Sequence, residues 1–180
     1  MTQEINEIQP VEILKEKPKN NYVFLWISTI IIILDQITKY IIRTNLDYGE
    51  IIRVTKKFFW ITYVRNTGAA FSFSFGDAVL NKIIFIVISS LASVMLVILI
   101  KKSNAKIETI AYSLILGGAI GNLIDRIFLG SVTDFLWCDF PDWIMHRWPV
   151  FNIADSSIVV AIVILVFYTL FLEKKNVEDK

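Results

Sequence analysis

Cysteine and histidine are almost absent from this chain of 180 residues, which has one of each, Cys138 and His146. A lone cysteine cannot close an internal disulfide, and these two residues supply neither a cysteine-based zinc site nor a pair of histidine ligands. The H-E-x-x-H pattern of zinc peptidases and the G-x-S-x-G pattern of serine hydrolases are also missing. We therefore expect no cofactor, no metal site, and no catalytic role for Cys138 or His146.

Charged residues are scarce as well, at 19% of the chain against 55% hydrophobic residues, and the net charge is only +1. The apolar residues gather into four blocks of membrane-spanning length, residues 22–42, 82–100, 109–129 and 153–172. This pattern predicts an all-α integral membrane protein that forms a single membrane domain with four transmembrane helices. Its surroundings are expected to be membrane lipids, with no nucleic-acid partner.

Lysines flank the blocks in a way that predicts their orientation. They occupy the short connection between the second and third blocks and the end of the chain, at Lys101, Lys102, Lys106, Lys174, Lys175 and Lys180. The positive-inside rule places both segments in the cytoplasm. Residues 1–21 and 173–180 are then cytoplasmic tails, and residues 43–81 and 130–152 are connections at the outer face. The first connection is also basic, but it is long, and in a chain with four spans it cannot share a side with the short connection.

The two outer connections differ in composition. Residues 51–54 and 58–64 are rich in β-branched and aromatic side chains, which predicts two short strands and a small β-cradle over the membrane. Residues 131–152 include Trp137, Trp143 and Trp148, a composition typical of the headgroup layer. We expect this second connection to lie in the interface. Residues 71–75 or 137–148 could form a lid over a site.

Polar residues converge at the outer ends of the predicted helices. Ionisable groups in a bilayer are costly and are usually retained for a function or for one another. The converging residues are Asp35, Lys39, Asn122, Asp125, Arg126, Asn152 and Asp155, with Asn66 and Asp134 on the outer connections. The sequence therefore predicts a functional site at the outer face.

Spacing within these segments leaves two interpretations open. Gly118 shares one helical stripe with Asn122 and Asp125, and Gly117 and Gly121 form a small-xxx-small pair. These glycines could admit a neighbouring helix, which we favour, or a substrate backbone. Asp35 and Lys39 are four residues apart, which predicts a structural ion pair. Asp125 and Arg126 could pair similarly, with the guanidinium also free to hold a peptide carbonyl.

Asp134 and Asp155 are expected to differ in protonation. Asp134 has apolar neighbours and no adjacent cation, which favours the protonated carboxyl. Asp155 falls in the first turn of the fourth helix, where Asn152 can cap it and the helix dipole favours the carboxylate. Hydrolysis by activated water requires one carboxylate and one carboxylic acid. Our hypothesis makes Asp155 the base, although coupled titrations would not by themselves identify it.

Five motifs then occur in a recognisable order: DQITK at 35–39, RNTGAAFS at 65–72, GGAIGNLIDR at 117–126, VTDF at 132–135 and FNIADS at 151–156. Together they resemble those of lipoprotein signal peptidase, also called signal peptidase II. The residues before Tyr22 and the Trp-rich segment 137–148 do not match that family's pattern.

The resemblance implies an aspartic endopeptidase at the outer face of the bacterial plasma (inner) membrane, and we expect a monomer. Its substrates are prolipoproteins, cut just before a diacylglyceryl-modified cysteine. Asp134 and Asp155 would be catalytic. Substrate-binding or supporting residues would be Asn66, Gly68, Asn122, Arg126, Asn152, Ala154, Asp35, Lys39 and Asp125.

Three other functions are compatible with some of these residues. A transporter or proton channel could use Asp35, Asp125 and Asp155 as a relay, although the acids cluster at one face and the chain has no internal repeat. A Ser/Lys protease could use Lys39 with Ser72 or Ser74. Carboxylates alone could also bind a metal ion, without support from histidine.

Overall fold

The computed structural model describes residues 20–56, 58–68, 77–138 and 149–173, and the chain is mainly helical across them. One 3₁₀ turn, Asn21–Phe24, leads into α1, Leu25–Asn45. The other helices are α2, Ala78–Lys102, α3, Lys106–Leu129, and α4, Ile153–Phe167, which continues as a π-helical segment, Tyr168–Glu173. Within these described residues, four helices are long and apolar enough to cross a membrane. The predicted fold class is confirmed.

The helices extend beyond the predicted blocks at several ends. The candidate spans are Asn21–Asn45, Val79–Lys102, Lys106–Leu129 and Ile153–Phe171. The predicted blocks stopped where apolar residues give way to polar ones, for example before Arg43 and after Ile100. Helical hydrogen bonding continues through these polar residues, because backbone groups near the bilayer still need partners.

Helix α3 lies at the centre of the bundle and contacts each of the other three helices. In its spanning window 44% of residues are buried, against 22% or less in the other helices. Its glycines make this possible: a Cβ on Gly117 would lie 2.8 Å from the Cβ of Ile31 in α1, and one on Gly118 would collide with the backbone oxygen of Ala154 in α4. The glycine stripe is therefore used for helix packing, as favoured above.

An antiparallel three-stranded sheet lies at the end of the bundle where α1 and α3 finish and α4 begins, and we call this the sheet end. Its strands are β1, Ile51–Arg53, β2, Phe59–Asn66, and β3, Val132–Cys138, in the order β1-β2-β3. The first two strands confirm the prediction. Strand β3 was missed, because residues 131–138 were assigned by their aromatic content to the interface. Residues 139–148 lie outside the described part of the chain.

The path from α3 to α4 brings two acidic residues together. Gly130 ends α3 with φ +77, a left-handed conformation that suits glycine, and β3 follows almost at once. Leu136 in β3 then pairs with Phe151, just before the start of α4. This pairing holds the first turn of α4, with Asp155, beside the strand that contains Asp134.

Candidate active site

Asp134 is buried, with 3% of its surface exposed. Its Oδ1 accepts a hydrogen bond of 2.7 Å from Asn152 Nδ2, and its Oδ2 accepts one of 3.1 Å from Asn66 Nδ2. Burial, and then the negative charge of Asp155, raise the pKa of Asp134 to about 7, although the two amides and Lys39 act in the opposite direction. This agrees with the expectation that Asp134 favours its protonated form.

Asp155 lies in the first turn of α4 and forms a capping box with Asn152, as the sequence predicted. The Asp155 N–H donates to Asn152 Oδ1 at 2.9 Å, and the Asn152 N–H donates to Asp155 Oδ2 at 3.2 Å. The other carboxylate oxygen, Oδ1, accepts a bond of 2.8 Å from Asn122 Nδ2. Asp155 differs from Asp134 in lying in the first turn of a helix, where the cap N–H and the helix dipole both favour an ionised carboxylate.

Asn152 joins the two acidic residues directly. Its side-chain amide donates to Asp134, and its backbone N–H donates to Asp155. The same side-chain amide lies 3.1 Å from Asn122 Oδ1, and Asn152 is fully buried. One residue thus sets the relative position of the two carboxyl groups.

A fully buried ion pair supports this centre from α1. Lys39 Nζ lies 2.8 Å from Asp35 Oδ2, and neither side chain has any exposed surface, which confirms the predicted structural pair. Lys39 also donates to Asn122 Oδ1 at 2.9 Å. Because an ammonium group can only donate, this contact orients the amide of Asn122 with its NH₂ group toward Asp155.

Asp35 also tethers the start of α4. Its Oδ1 accepts a hydrogen bond of 2.9 Å from the backbone N–H of Ala154, at the positive end of the α4 dipole. The ion pair of α1 therefore holds the residue next to Asp155 as well as the amide that contacts it.

The hypothesis that Asp125 pairs with Arg126 is wrong. Consecutive residues of a helix point in different directions, so their side chains meet different partners. Asp125 lies 3.4 Å from Lys39 and 3.6 Å from Arg43, and its Oδ2 accepts a bond of 2.8 Å from the Thr133 N–H. Arg126 donates instead to Gly68 O at 3.2 Å and to Asn122 O at 3.4 Å.

Asn66 and Gly68 complete the described part of the site on the sheet side. The Gly68 N–H donates to Asn66 Oδ1 at 3.0 Å, which leaves the Nδ2 of Asn66 directed at Asp134. Residues 69–76 and 139–148 lie outside the description, and with them Ser72, Ser74 and His146. The segment 71–75 considered as a lid falls entirely within these residues, and of the segment 137–148 only Trp137 and Cys138, in β3, are described.

Sequence reasoning missed three residues of this network: Gln36, Arg43 and Thr133. Gln36 Nε2 donates to Gly121 O at 3.0 Å, and Arg43 Nη1 donates to Thr133 Oγ1 at 3.1 Å. Arg43 follows Lys39 by four residues and shares its helical face, a signal that could have included it. Thr133 offered no such signal, because its contacts depend on the strand that was not predicted.

The polar network is complete where the structure describes it. No buried side-chain nitrogen or oxygen among the described residues lacks a hydrogen-bond partner. Within the same residues, no group of three or more His, Cys, Asp or Glu side chains is placed to hold a metal ion. The site is therefore built from amides, two cations of α1, Arg126 and four carboxyl groups.

Four apolar helices, with a buried carboxyl and amide network at the sheet end, define a multi-pass membrane protein with a candidate active site. Comparison with known proteins gives its family: residues 27–171 match the model of signal peptidase (SPase) II. The chain belongs to the signal peptidase II family, and it is accordingly a protease.

Relatives and solved structures agree with this assignment. The chain is 42% identical to the lipoprotein signal peptidase of Haemophilus influenzae (strain Rd) over 164 residues, covering 90% of this chain and 94% of the relative. It is 41% identical to that of Serratia marcescens over 160 residues, covering 89% and 92%. A bacterial membrane enzyme solved at 2.3 Å superposes with a TM-score of 0.73 and 33% identity, covering 82% of this chain and 87% of the other.

Proposed function

We propose that this protein is an aspartic endopeptidase that removes signal peptides from prolipoproteins. Its substrates carry a diacylglyceryl-modified cysteine, and cleavage occurs just before that residue. Family membership supports the substrate class, since the curated relatives are lipoprotein signal peptidases. One observation carries the catalytic type: two carboxyl groups in different environments, Asp134 and Asp155, are joined through Asn152.

The chemistry follows from the difference between the two carboxyl groups. Asp155, as the carboxylate, takes a proton from a water molecule, whose oxygen attacks the scissile carbonyl carbon. Asp134, as the acid, donates its proton to the carbonyl oxygen as the tetrahedral intermediate forms. The proton on Asp155 then passes to the leaving nitrogen, the C–N bond breaks, and the new carboxyl product returns a proton to Asp134. The raised pKa of Asp134 suits this role.

The remaining predicted residues divide by their contacts. We assign Asn66, Gly68, Asn122, Arg126, Asn152 and Ala154 to the walls of the substrate site, since each contacts a catalytic carboxyl, its helix start or another wall residue. Asp35, Lys39 and Asp125 hold these walls in place. In this assignment the three acids Asp35, Asp125 and Asp155 serve one site at one end of the bundle, so a transport relay has no support.

The proposed cellular arrangement places the sheet end at the outer face of the bacterial plasma membrane. Both termini, including residues 1–21 and 173–180, then lie in the cytoplasm, and the protein acts as a monomer in contact with membrane lipids. The lysines at the opposite end of the bundle, Lys101, Lys102 and Lys106, support this orientation.

A gel-shift cleavage assay tests the proposal, with a diacylglyceryl-modified prolipoprotein as substrate and purified full-length enzyme. Wild type should cleave it, and Asp134→Asn and Asp155→Asn should each lower kcat by about 10³-fold or more, since neither role has a substitute. Asp47→Asn, at an exposed acid on the same side of the bundle, is the control and should cleave normally. Substantial activity in either catalytic variant contradicts the aspartic dyad, and folded wild type that cannot cleave contradicts the function.

A further inference from the structure

Arg43 lies at the sheet end of α1, one turn after Lys39, and outside the five motifs that resemble the family. Its side chain is largely buried, with 21% exposed. The Nη1 atom lies 3.1 Å from Thr133 Oγ1 and 3.6 Å from Asp125 Oδ1. The guanidinium therefore links a carboxylate of α3 to a hydroxyl of β3, and it does not serve as a charge on an exposed surface.

Thr133, the partner of Arg43, is buried and is held at each of its polar groups. Its backbone N–H donates to Asp125 Oδ2 at 2.8 Å, its hydroxyl accepts from Arg43 at 3.1 Å, and its carbonyl accepts from Asn152 Nδ2 at 3.3 Å. The next residue is Asp134. Because one planar peptide links the two residues, a shift of Thr133 moves the backbone that carries the Asp134 carboxyl.

We propose that Arg43 is a positioning residue that, together with Asp125, fixes Thr133 and thereby aims the Asp134 carboxyl at the reacting carbonyl. The inference rests on the proposed function, in which Asp134 is catalytic. The Asp125 carboxylate also contacts Lys39, so it is not bound to Thr133 alone. Arg43 binds Asp125 from the other side and adds a second attachment to the strand through the Thr133 hydroxyl. The start of β3 is thus attached to both α1 and α3, which restricts it more than either attachment would alone.

The charges around position 43 favour a cation, and the shape of the guanidinium favours arginine. Asp125 faces two cations, Lys39 and Arg43, while Asp35 faces Lys39, so these two cations and two carboxyl groups balance one another. Lysine at position 43 would preserve that balance. Its single ammonium lacks the planar fork of guanidinium, so it should hold the hydroxyl and the carboxylate less rigidly.

The test compares Arg43→Met, Thr133→Val, the double variant and Arg43→Lys by steady-state cleavage of the lipid-modified prolipoprotein. Arg43→Met should lower kcat by about 10- to 100-fold with KM within about twofold, because a small misplacement of a reacting group can cost about 10²-fold. Thr133→Val, which keeps the β-branched shape, should lower kcat less. The double variant should match Arg43→Met, because Thr133→Val removes only the Arg43–Thr133 hydrogen bond, which Arg43→Met has already removed. Arg43→Lys should recover part of the loss.

Arg53→Met is the matched control, since Arg53 is exposed on β1 and its guanidinium carbon lies 6.0 Å from the Trp60 ring. It should keep the wild-type kcat. Thermal unfolding of each variant separates positioning from folding. If Arg43→Met lowers Tm but folded enzyme keeps the wild-type kcat, or if the two substitutions are simply additive, the inference fails.

The inference and the proposed function fail in different ways. Wild type that does not cleave, or Asp134→Asn that does, contradicts the function itself. If wild type cleaves and Asp134→Asn is inactive, a fully active Arg43→Met contradicts only the role of Arg43. Thr133→Val supplies the second measurement if Arg43→Met does not fold, because it leaves the bond from the Thr133 N–H to Asp125 intact.

Discussion

At the scale of single residues, the two central carboxyl groups differ because of what surrounds them. Asp134 is buried on a strand and receives its hydrogen bonds from neutral amides. Asp155 lies in the first turn of α4 and receives its hydrogen bonds from the backbone N–H of the cap residue Asn152 and from the Asn122 amide. The same side chain therefore meets two environments, and the consequences are measurable through protonation.

The alkaline limb of the pH–rate profile should reflect Asp134. Activity is expected to fall as pH rises through about 7, where the proton needed by the carbonyl is lost. Asn66→Ala should move this limb to higher pH by roughly one pH unit, because the Asn66 hydrogen bond favours the ionised carboxyl, and such bonds contribute about 1.5 kcal/mol or more. Measuring kcat/KM from pH 5 to 10 checks this. Asn45→Ala, at an exposed helix end, should leave the limb unmoved, and a limb that moves down in Asn66→Ala contradicts the assignment.

Asp134 should also make the fold less stable at neutral and higher pH than in acid. Its folded-state pKa of about 7 exceeds the unfolded value of about 3.9, so the folded state binds the extra proton and stability falls as pH rises between these values. Asp134→Asn removes that dependence. Its Tm, relative to wild type, should rise more at pH 8 than at pH 5, whereas Asp47→Asn should show no such trend. An equal Tm difference at both pH values would contradict the raised pKa.

At the scale of elements, the helices were predictable and one strand was not. Apolar runs of membrane-spanning length have few alternative structures, so α2 and α4 followed from composition. Strand β3 contains Val132, Phe135 and Trp137, residue types that suit both a strand and a headgroup layer. Its identity depends on pairing with β2, a contact between distant parts of the chain. Consequently the clustering of the polar motif residues at one end of the bundle was predictable from spacing, but the Arg43–Thr133 contact was not.

The packing of α3 against α4 gives a prediction at this scale. A Cβ at Gly118 would collide with the Ala154 oxygen, one residue before Asp155, so Gly118→Ala should push α4 away. We expect a loss of roughly 1–3 kcal/mol in stability together with a large fall in kcat. Gly49→Ala is the control: its φ of +82 makes alanine strained, but no atom lies within 4 Å. It should cost about 1 kcal/mol without changing kcat, and equal kcat in the two variants would contradict the packing argument.

At the scale of the whole molecule, the two ends of the bundle differ in their charged residues. The sheet end contains the four acids of the site and the amides together with Lys39, Arg43 and Arg126, and the opposite end contains the lysines between α2 and α3. The proposed orientation follows from the position of these lysines and the positive-inside rule.

Chemical labelling in intact cells tests the orientation. In a Cys138→Ser background, Tyr48→Cys lies at an exposed position of the sheet end and Lys102→Cys at an exposed position of the opposite end. A membrane-impermeant maleimide should label the first in cells whose outer envelope is permeabilised, and the second only after the plasma membrane is lysed. The reverse pattern would place the site in the cytoplasm. Denatured samples, in which both cysteines should react, provide the control.

Asn152 gives the molecule a particular way to lose activity on heating. Most helices fray at their ends before the protein melts, and such fraying usually leaves the rest of a structure working. In this protein the cap of α4 is also the bridge between Asp134 and Asp155. Opening this one helical turn would separate the two acids, but Asn152 is fully buried and its amide is bonded to both Asp134 and Asn122. This helix end should therefore open only with the bundle, so that activity and helical structure are lost together on heating.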